Sequence, residues 1–260
     1  MVVITADQRD VILEAVRAMY TDVARHPERT FHFPTGRTAC EYWGYAGDLL
    51  DRIPGAALES FAGVGNPFRA RVIREGDTVL DVGSGSGTDA LIAALLTGPQ
   101  GRVIGLDMTA AMREKLARNA RAMGADHVEA LDGNAEAIPL PDASVDVVTS
   151  NGVINLIPDK RAALTEVSRV LKPGGRVQIA DIVVRSPPSA ACRAKPQLWA
   201  ECIVGATTVD DYLDRFREAG LGRVELLERI DYFAKSPNAE TRKVAEGFGA
   251  HAIVMRANKD

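Results

Sequence analysis

An apolar run that breaks into a glycine-dense turn and resumes as a helix limits what this chain can fold into more than any other stretch of it. Thr78-Val79-Leu80-Asp81-Val82 reads as a strand, Gly83-Ser84-Gly85-Ser86-Gly87 as the turn, and Ala90-Leu91-Ile92-Ala93-Ala94-Leu95-Leu96 as the helix that leaves it. Strand, tight turn and helix in that order form the unit at which an open α/β sheet binds a nucleoside-bearing cofactor. Glycines let the backbone approach a ligand where a Cβ would collide, and the helix N-terminus adds free N–H donors. About twenty residues further on, Val103-Ile104-Gly105-Leu106-Asp107 reads as a second strand. It ends in a carboxylate placed to accept hydrogen bonds from ribose hydroxyls.

A glycine-rich turn alone is common to dinucleotide folds and ordinary tight turns, and the flanking carboxylates separate the options. The dinucleotide fingerprint uses its glycines to seat a pyrophosphate on the helix, whereas here Asp81 opens the motif and Asp89 sits early in the helix. Carboxylates at these places repel a pyrophosphate and suit a cationic, phosphate-free ligand. S-adenosylmethionine, which carries an ammonium, a sulfonium, a ribose and an adenine, is such a ligand.

The pattern then alternates. Strands are expected at 78–81, 102–106, 128–131, 145–150 and 176–181, with helices from 89, over 110–123 and over 160–170. Strand-helix units of this length predict a mostly parallel, doubly wound α/β sheet. Before it, residues 7–26 place Val11, Ile12, Ala15, Val16, Met19 and Tyr20 at helical spacing and stop at His26-Pro27. Residues 38–50 and 54–61 read as further short helical cover. After it come a Pro-interrupted segment from 186, a helix over 209–219, a strand candidate at 223–229, a polar helix-like stretch at 235–249 and an apolar strand at 252–257. The two late strands are expected to form an antiparallel hairpin on the sheet edge.

Further motifs follow in order: Asp132-Gly133-Asn134-Ala135-Glu136, Ser144-Val145-Asp146-Val147-Val148-Thr149-Ser150-Asn151, and Arg169-Val170-Leu171-Lys172-Pro173-Gly174-Gly175 ahead of Val177-Gln178-Ile179-Ala180. With them the chain resembles the class I S-adenosylmethionine-dependent methyltransferases over residues 76–181. The resemblance implies a Rossmann-like sheet of seven strands with an N-terminal helical lid. On that basis residues 1–70 are expected to cover the pocket, residues 71–260 to form the cofactor-binding domain, and residues 186–206 to be an insertion over the pocket. Gly65-Asn66-Pro67, Asp107-Met108-Thr109, Ser150-Asn151-Gly152-Val153 and Glu201-Cys202-Ile203-Val204-Gly205-Ala206 are similar to motifs of the arsenite methyltransferase family. That family methylates trivalent arsenic held by cysteine thiolates, soft ligands for a thiophilic centre. This sequence departs from it at two of three thiol positions, with Val64 and Gly152 in place of cysteine, and keeps only Cys202.

The resemblance implies roles residue by residue. Gly83, Ser84 and Gly85 would meet the methionine part of the cofactor, with Asp81 fixing the turn or meeting the ammonium through water. Asp107 would take the ribose and Met108 one adenine face, while Asn134, Ala135 and Glu136 would edge the adenine. Asn151 would belong to the cofactor site, its neighbours offering a backbone carbonyl to the ammonium while its side chain faces the substrate, and Cys202 is the candidate catalytic thiol. Read without the resemblance, the same residues are a tight turn, a helix cap, core padding and a loop.

Composition excludes several classes. The chain has 260 residues, 46% hydrophobic and 25% charged, with a net charge of −4. This is an ordinary globular balance without general attraction to nucleic-acid phosphates. No apolar stretch approaches the ~20 residues of a membrane helix. Three cysteines at no metal-ligand spacing fit a reducing cytoplasm and a site without a metal. The expectation is a cytoplasmic monomer or homodimer acting on a small molecule, a soft nucleophile such as a trivalent arsenical or thiol. Two alternatives stay open: a quinol or phenol C- or O-methyltransferase, and a non-catalytic module that binds S-adenosylmethionine.

Overall fold

The computed structural model describes residues 5–189, Cys192, Trp199 and residues 203–260. Chain order runs α1 (Ala6–Arg25), α2 (Gly36–Tyr42), α3 (Gly47–Leu50), α4 (Gly55–Glu59), β1 (Thr78–Val82), α5 (Thr88–Thr97), β2 (Arg102–Asp107), α6 (Ala110–Met123) and β3 (Val128–Asp132). It continues with β4 (Val145–Asn151), α7 (Lys160–Val170), β5 (Leu171–Val183), α8 (Val209–Glu218), β6 (Leu221–Ile230), α9 (Ala239–Phe248) and β7 (His251–Lys259).

The described strands form one seven-stranded sheet in the order β3-β2-β1-β4-β5-β7-β6. β1 pairs in parallel with β2 on one side and β4 on the other. The chain therefore leaves the carboxyl ends of β1 and β4 in opposite directions, which opens a crevice between them. β1, β4 and β5 carry near-continuous apolar runs because helices cover both faces.

The late strands pair antiparallel at the sheet edge, as expected, with β6 outermost and β7 on the inner side, where it also pairs antiparallel with β5. The centre of β7, residues 252–255, is buried and apolar, whereas β6 alternates charged and half-buried residues as an edge does. β5 starts earlier than the apolar run at 176, since α7 passes directly into extended backbone at Leu171 and the register shifts between Val145 and Val147.

α1 begins with a capping box in which Thr5 and Gln8 satisfy each other's backbone N–H. Its Ile12, Val16 and Val23 are buried. Its C-terminal turn is held to α6 by Lys115, whose Nζ donates to the Ala24 carbonyl at 3.1 Å and to Ser60 Oγ at 2.7 Å. Ser60 in turn donates to the Val23 carbonyl. The segment that starts at 186 leaves β5 where Val184 bridges to Thr208, so its two ends lie side by side.

Candidate functional site

The glycine turn after β1 folds onto the end of β2. Gly83 N–H and Ser84 N–H both donate to the Leu106 carbonyl, at 2.8 and 3.0 Å. Gly85 N–H donates to Asp107 Oδ2 at 2.9 Å, and Thr109 N–H donates to Asp107 Oδ1 at 2.8 Å. Gly83 has φ +73°, and a Cβ there would strike the Val153 side chain, so only glycine fits.

This turn floors a cavity that opens partly to solvent. Asp81, Gly83, Ser84, Gly85, Asp107, Met108, Asn134, Ala135 and Asn151 all line it. α1 closes one side with Leu13, Val16 and Tyr20, and the loop after α4 adds Phe61, Ala62 and Gly63.

Three carboxylates dominate its electrostatics. Asp81 is 2% exposed and its Oδ2 has no hydrogen-bond partner among the described residues. Burial pushes its pKa well above the ordinary carboxylate range, and the charges of Asp89 and Asp107 push it further. Burial also raises Asp89 to about 6, against the pull of hydrogen bonds from Tyr45 and Asn151. Asp107 is raised by burial, which its bonds from Thr109 and Gly85 oppose. Ser84 Oγ is likewise buried without a partner among the described residues. Carboxylates crowded in this way are relieved by a cation placed among them.

Glu136 is placed differently from the adenine contact expected of it. Asn134 Oδ1 accepts from Glu136 N–H at 3.0 Å and Ala137 N–H returns to the Asn134 carbonyl. Asn134 and Ala135 line the cavity, whereas the Glu136 carboxylate lies outside its lining and accepts from the Arg9 guanidinium of α1 and from Asp159 N–H. Cys202 lies outside the described residues. Cys40 is buried and off the cavity, with its thiol pKa pushed up by burial. His32 also lies off the lining, its carbonyl accepting from Ser236.

From the sequence, Trp43 and Tyr45 beside Gly44 could be an apolar wall for a substrate or anchors of the N-terminal cover, and they are anchors: Trp43 Nε1 donates to the Gly63 carbonyl at 3.0 Å, and Tyr45 Oη donates to Asp89 Oδ1 at 2.7 Å. Val64 and Gly152, 88 positions apart in the sequence, touch: a Cβ on Gly152 would stand 3.1 Å from Val64 Cγ1. No local signal could have paired them.

The sequence family described as "Methyltransferase domain" matches residues 73–220. An arsenic (III) S-adenosylmethionine methyltransferase from Chlamydomonas reinhardtii superposes with a TM-score of 0.66 at 31% identity, over 87% of this chain and 74% of that one. The chain belongs to the class I S-adenosylmethionine-dependent methyltransferases, close to the arsenite methyltransferases. An arsenite methyltransferase from Halobacterium salinarum is 41% identical to this methyltransferase over 74% of the chain. The match covers 49% of that protein, so the chain spans about half the length of this curated relative. A ubiquinone/menaquinone biosynthesis C-methyltransferase from Escherichia coli is 40% identical over 41% of this chain and 43% of its own.

The cofactor of this family fits the residues present. Asp81 and Ser84, whose unpartnered oxygens are buried, line a cavity with Asp89 and Asp107, carboxyl groups that an ammonium and a sulfonium would hold ionised. When bound, S-adenosylmethionine supplies a methyl group already activated on a sulfonium.

Proposed function

We propose that this methyltransferase transfers a methyl group to a small soft nucleophile, a trivalent arsenical or a thiol. Asp81 and Asp89 hold the cationic amino-acid end of the cofactor, Gly83, Ser84 and Gly85 cradle it, and Asp107 takes the ribose. Met108, Asn134 and Ala135 bound the adenine, and Asn151 shapes the acceptor side. The observation that carries the reading is the acid-lined cavity with an unpartnered Asp81 oxygen, closed over by apolar residues of α1.

In-line displacement needs the acceptor held close and water excluded more than it needs an acid or base. Leu13, Val16, Phe61 and Leu156 supply that dry wall. A thiolate or an arsenic lone pair attacks without proton removal in the same step. The likeness to arsenite methyltransferases supports arsenic as the acceptor element. The apposed Val64 and Gly152 argue against three-thiolate chelation, because both positions that carry cysteine in that family carry none here. We read the protein as cytoplasmic, a monomer or homodimer, without a nucleic-acid substrate.

Purified protein supplied with S-adenosylmethionine and a panel of arsenite, monomethylated trivalent arsenical, small thiols, phenols and demethylated quinols tests this. Turnover is expected on the methylated arsenical or a thiol, and weakly or not at all on inorganic arsenite. Turnover confined to a quinol or phenol would instead make it a C- or O-methyltransferase. Cofactor binding without transfer to any acceptor would make it a binding module.

A further inference from the structure

We propose that Tyr45 is a positioning residue, joined with Asp89 and Asn151 in a hydrogen-bonded relay that reports occupancy of the cofactor's amino-acid end to the 61–66 loop walling the same cavity. The inference rests on S-adenosylmethionine binding and is independent of the acceptor.

An ionised carboxylate only accepts hydrogen bonds. Asp89 Oδ1 takes the Tyr45 hydroxyl at 2.7 Å and Oδ2 takes Asn151 Nδ2 at 2.9 Å. With Nδ2 committed to that side, Asn151 Oδ1 must face away, and there it accepts Val64 N–H at 2.8 Å and Gly65 N–H at 3.3 Å. The same Nδ2 lies 2.9 Å from the Gly65 carbonyl and 3.0 Å from Tyr45 Oη. The loop is therefore hung on one amide, whose orientation is set jointly by the Asp89 carboxylate, the Gly65 carbonyl and the two loop N–H donors. A protonated Asp89 could donate, and the amide would then lose one of the acceptors that hold it.

The packing leaves little slack. A Cβ on Gly63 would run into the Asn151 amide and the Phe61 ring. The Tyr45 ring is held edge-on by Phe61 and Phe68, with centroids 5.5 and 6.0 Å away.

The charged group facing Asp89 from the sheet is Asp81 of β1, with Asp107 of β2 beyond it. From the N-terminal segment come Tyr45 and the buried Cys40 thiol, and from β4 the neutral Asn151. Burial and these like charges favour protons on the acid pair in the empty site. An ammonium arriving there favours the ionised form, and the displaced proton passes to solvent.

The test uses S-adenosylhomocysteine, which keeps the ammonium and cannot react. Its affinity is measured by calorimetry from pH 5 to 8, together with hydrogen exchange of the 61–66 backbone amides with and without the ligand. In the wild type, affinity is expected to rise with pH to a plateau, and the ligand to protect Val64 and Gly65. Tyr45→Phe removes one donor to the ionised carboxylate, so its midpoint should move up by about one pH unit and the ligand-induced protection should shrink. A midpoint and protection both equal to wild type would overturn the proposal. Should Tyr45→Phe fail to fold, Asp89→Asn decides, with exchange read at S-adenosylhomocysteine concentrations that calorimetry shows to saturate the variant: a binding curve flattened in pH with little loop protection at saturation supports the relay, and full protection overturns it.

Discussion

At the scale of single residues, Val64 and Gly152 set how far this site can be moved toward arsenic chelation. Gly152 has φ +74°, so a cysteine there carries backbone strain of about 1–2 kcal/mol, and its Cβ would press on Val64 Cγ1. Val64→Cys removes that obstruction at the cost of some buried apolar contact. The two changes should therefore couple: Gly152→Cys alone is expected to lower stability by more than it does in the Val64→Cys background. Denaturant unfolding of both single variants and the double variant measures the coupling. Strict additivity would count against the contact. The double variant should also bind arsenite more tightly than the wild type in a reduced state. Reduction matters because Val64 Cβ lies 3.9 Å from the Cβ position on Gly152, a separation suited to a disulfide. Asp107 was legible because a strand ended on it and a turn stood beside it. The facing of Glu136 was not, since it depends on a partner 127 positions away in α1.

Among the elements, α1 is the piece whose docking the sequence left open. Its amphipathic spacing announced a helix with one buried face, yet what that face covers depends on contacts made elsewhere. Arg9 at its first turn meets the Glu136 carboxylate, and Lys115 of α6 holds its last turn. Glu136 is almost fully buried, with 5% side-chain exposure, so removing its partner leaves a carboxylate short of a donor. Arg9→Met is expected to cost about 1–3 kcal/mol and to weaken S-adenosylmethionine binding several-fold, although Arg9 does not line the cavity. Arg9→Lys should recover part of both losses. Calorimetric binding with hydrogen exchange over residues 6–25 checks this; unchanged exchange in α1 would show that the pair does not hold the helix. Trp43 and Tyr45 illustrate the same limit, because aromatic residues beside a glycine fit a wall or an anchor equally well until their hydroxyl and indole partners are known.

For the whole molecule, the buried acids give stability an unusual pH dependence. Asp89 and Asp181 are both raised to about 6, and Asp81 and Asp107 are raised as well, all with burial as the largest cause. The folded state thus keeps protons that the unfolded chain has released, so these groups stabilise the fold at low pH and withdraw that contribution as pH rises through their folded pKa values. Asp146 and Glu166 are lowered, by Lys172 and Arg169 among their partners, and act in the opposite sense. Without cofactor, Tm is expected to be higher near pH 5.5 than at pH 7.5, and saturating S-adenosylmethionine should narrow or reverse the gap. Scanning calorimetry at constant ionic strength tests it, and a Tm that rises with pH in the free protein would contradict it. The alternating strands and helices made most of this sheet readable, because each strand pairs with one already suggested by its rhythm. That the last two strands close the sheet as an antiparallel pair was readable; that β7 and not β6 lies on the inner side was not, since apolar runs say that a strand is buried and not between which neighbours.

That position has a temporal side. β5 and β6 are both made before β7, yet they touch only through it. During synthesis the parallel half of the sheet can assemble as it emerges, while β6 waits with an unpaired inner edge until the residues of β7 arrive to fill the gap. For that interval the growing chain carries, besides its permanent edges, the two open strand edges that β7 will fill, and anything that slows translation over residues 231–259 lengthens its exposure to wrong pairing.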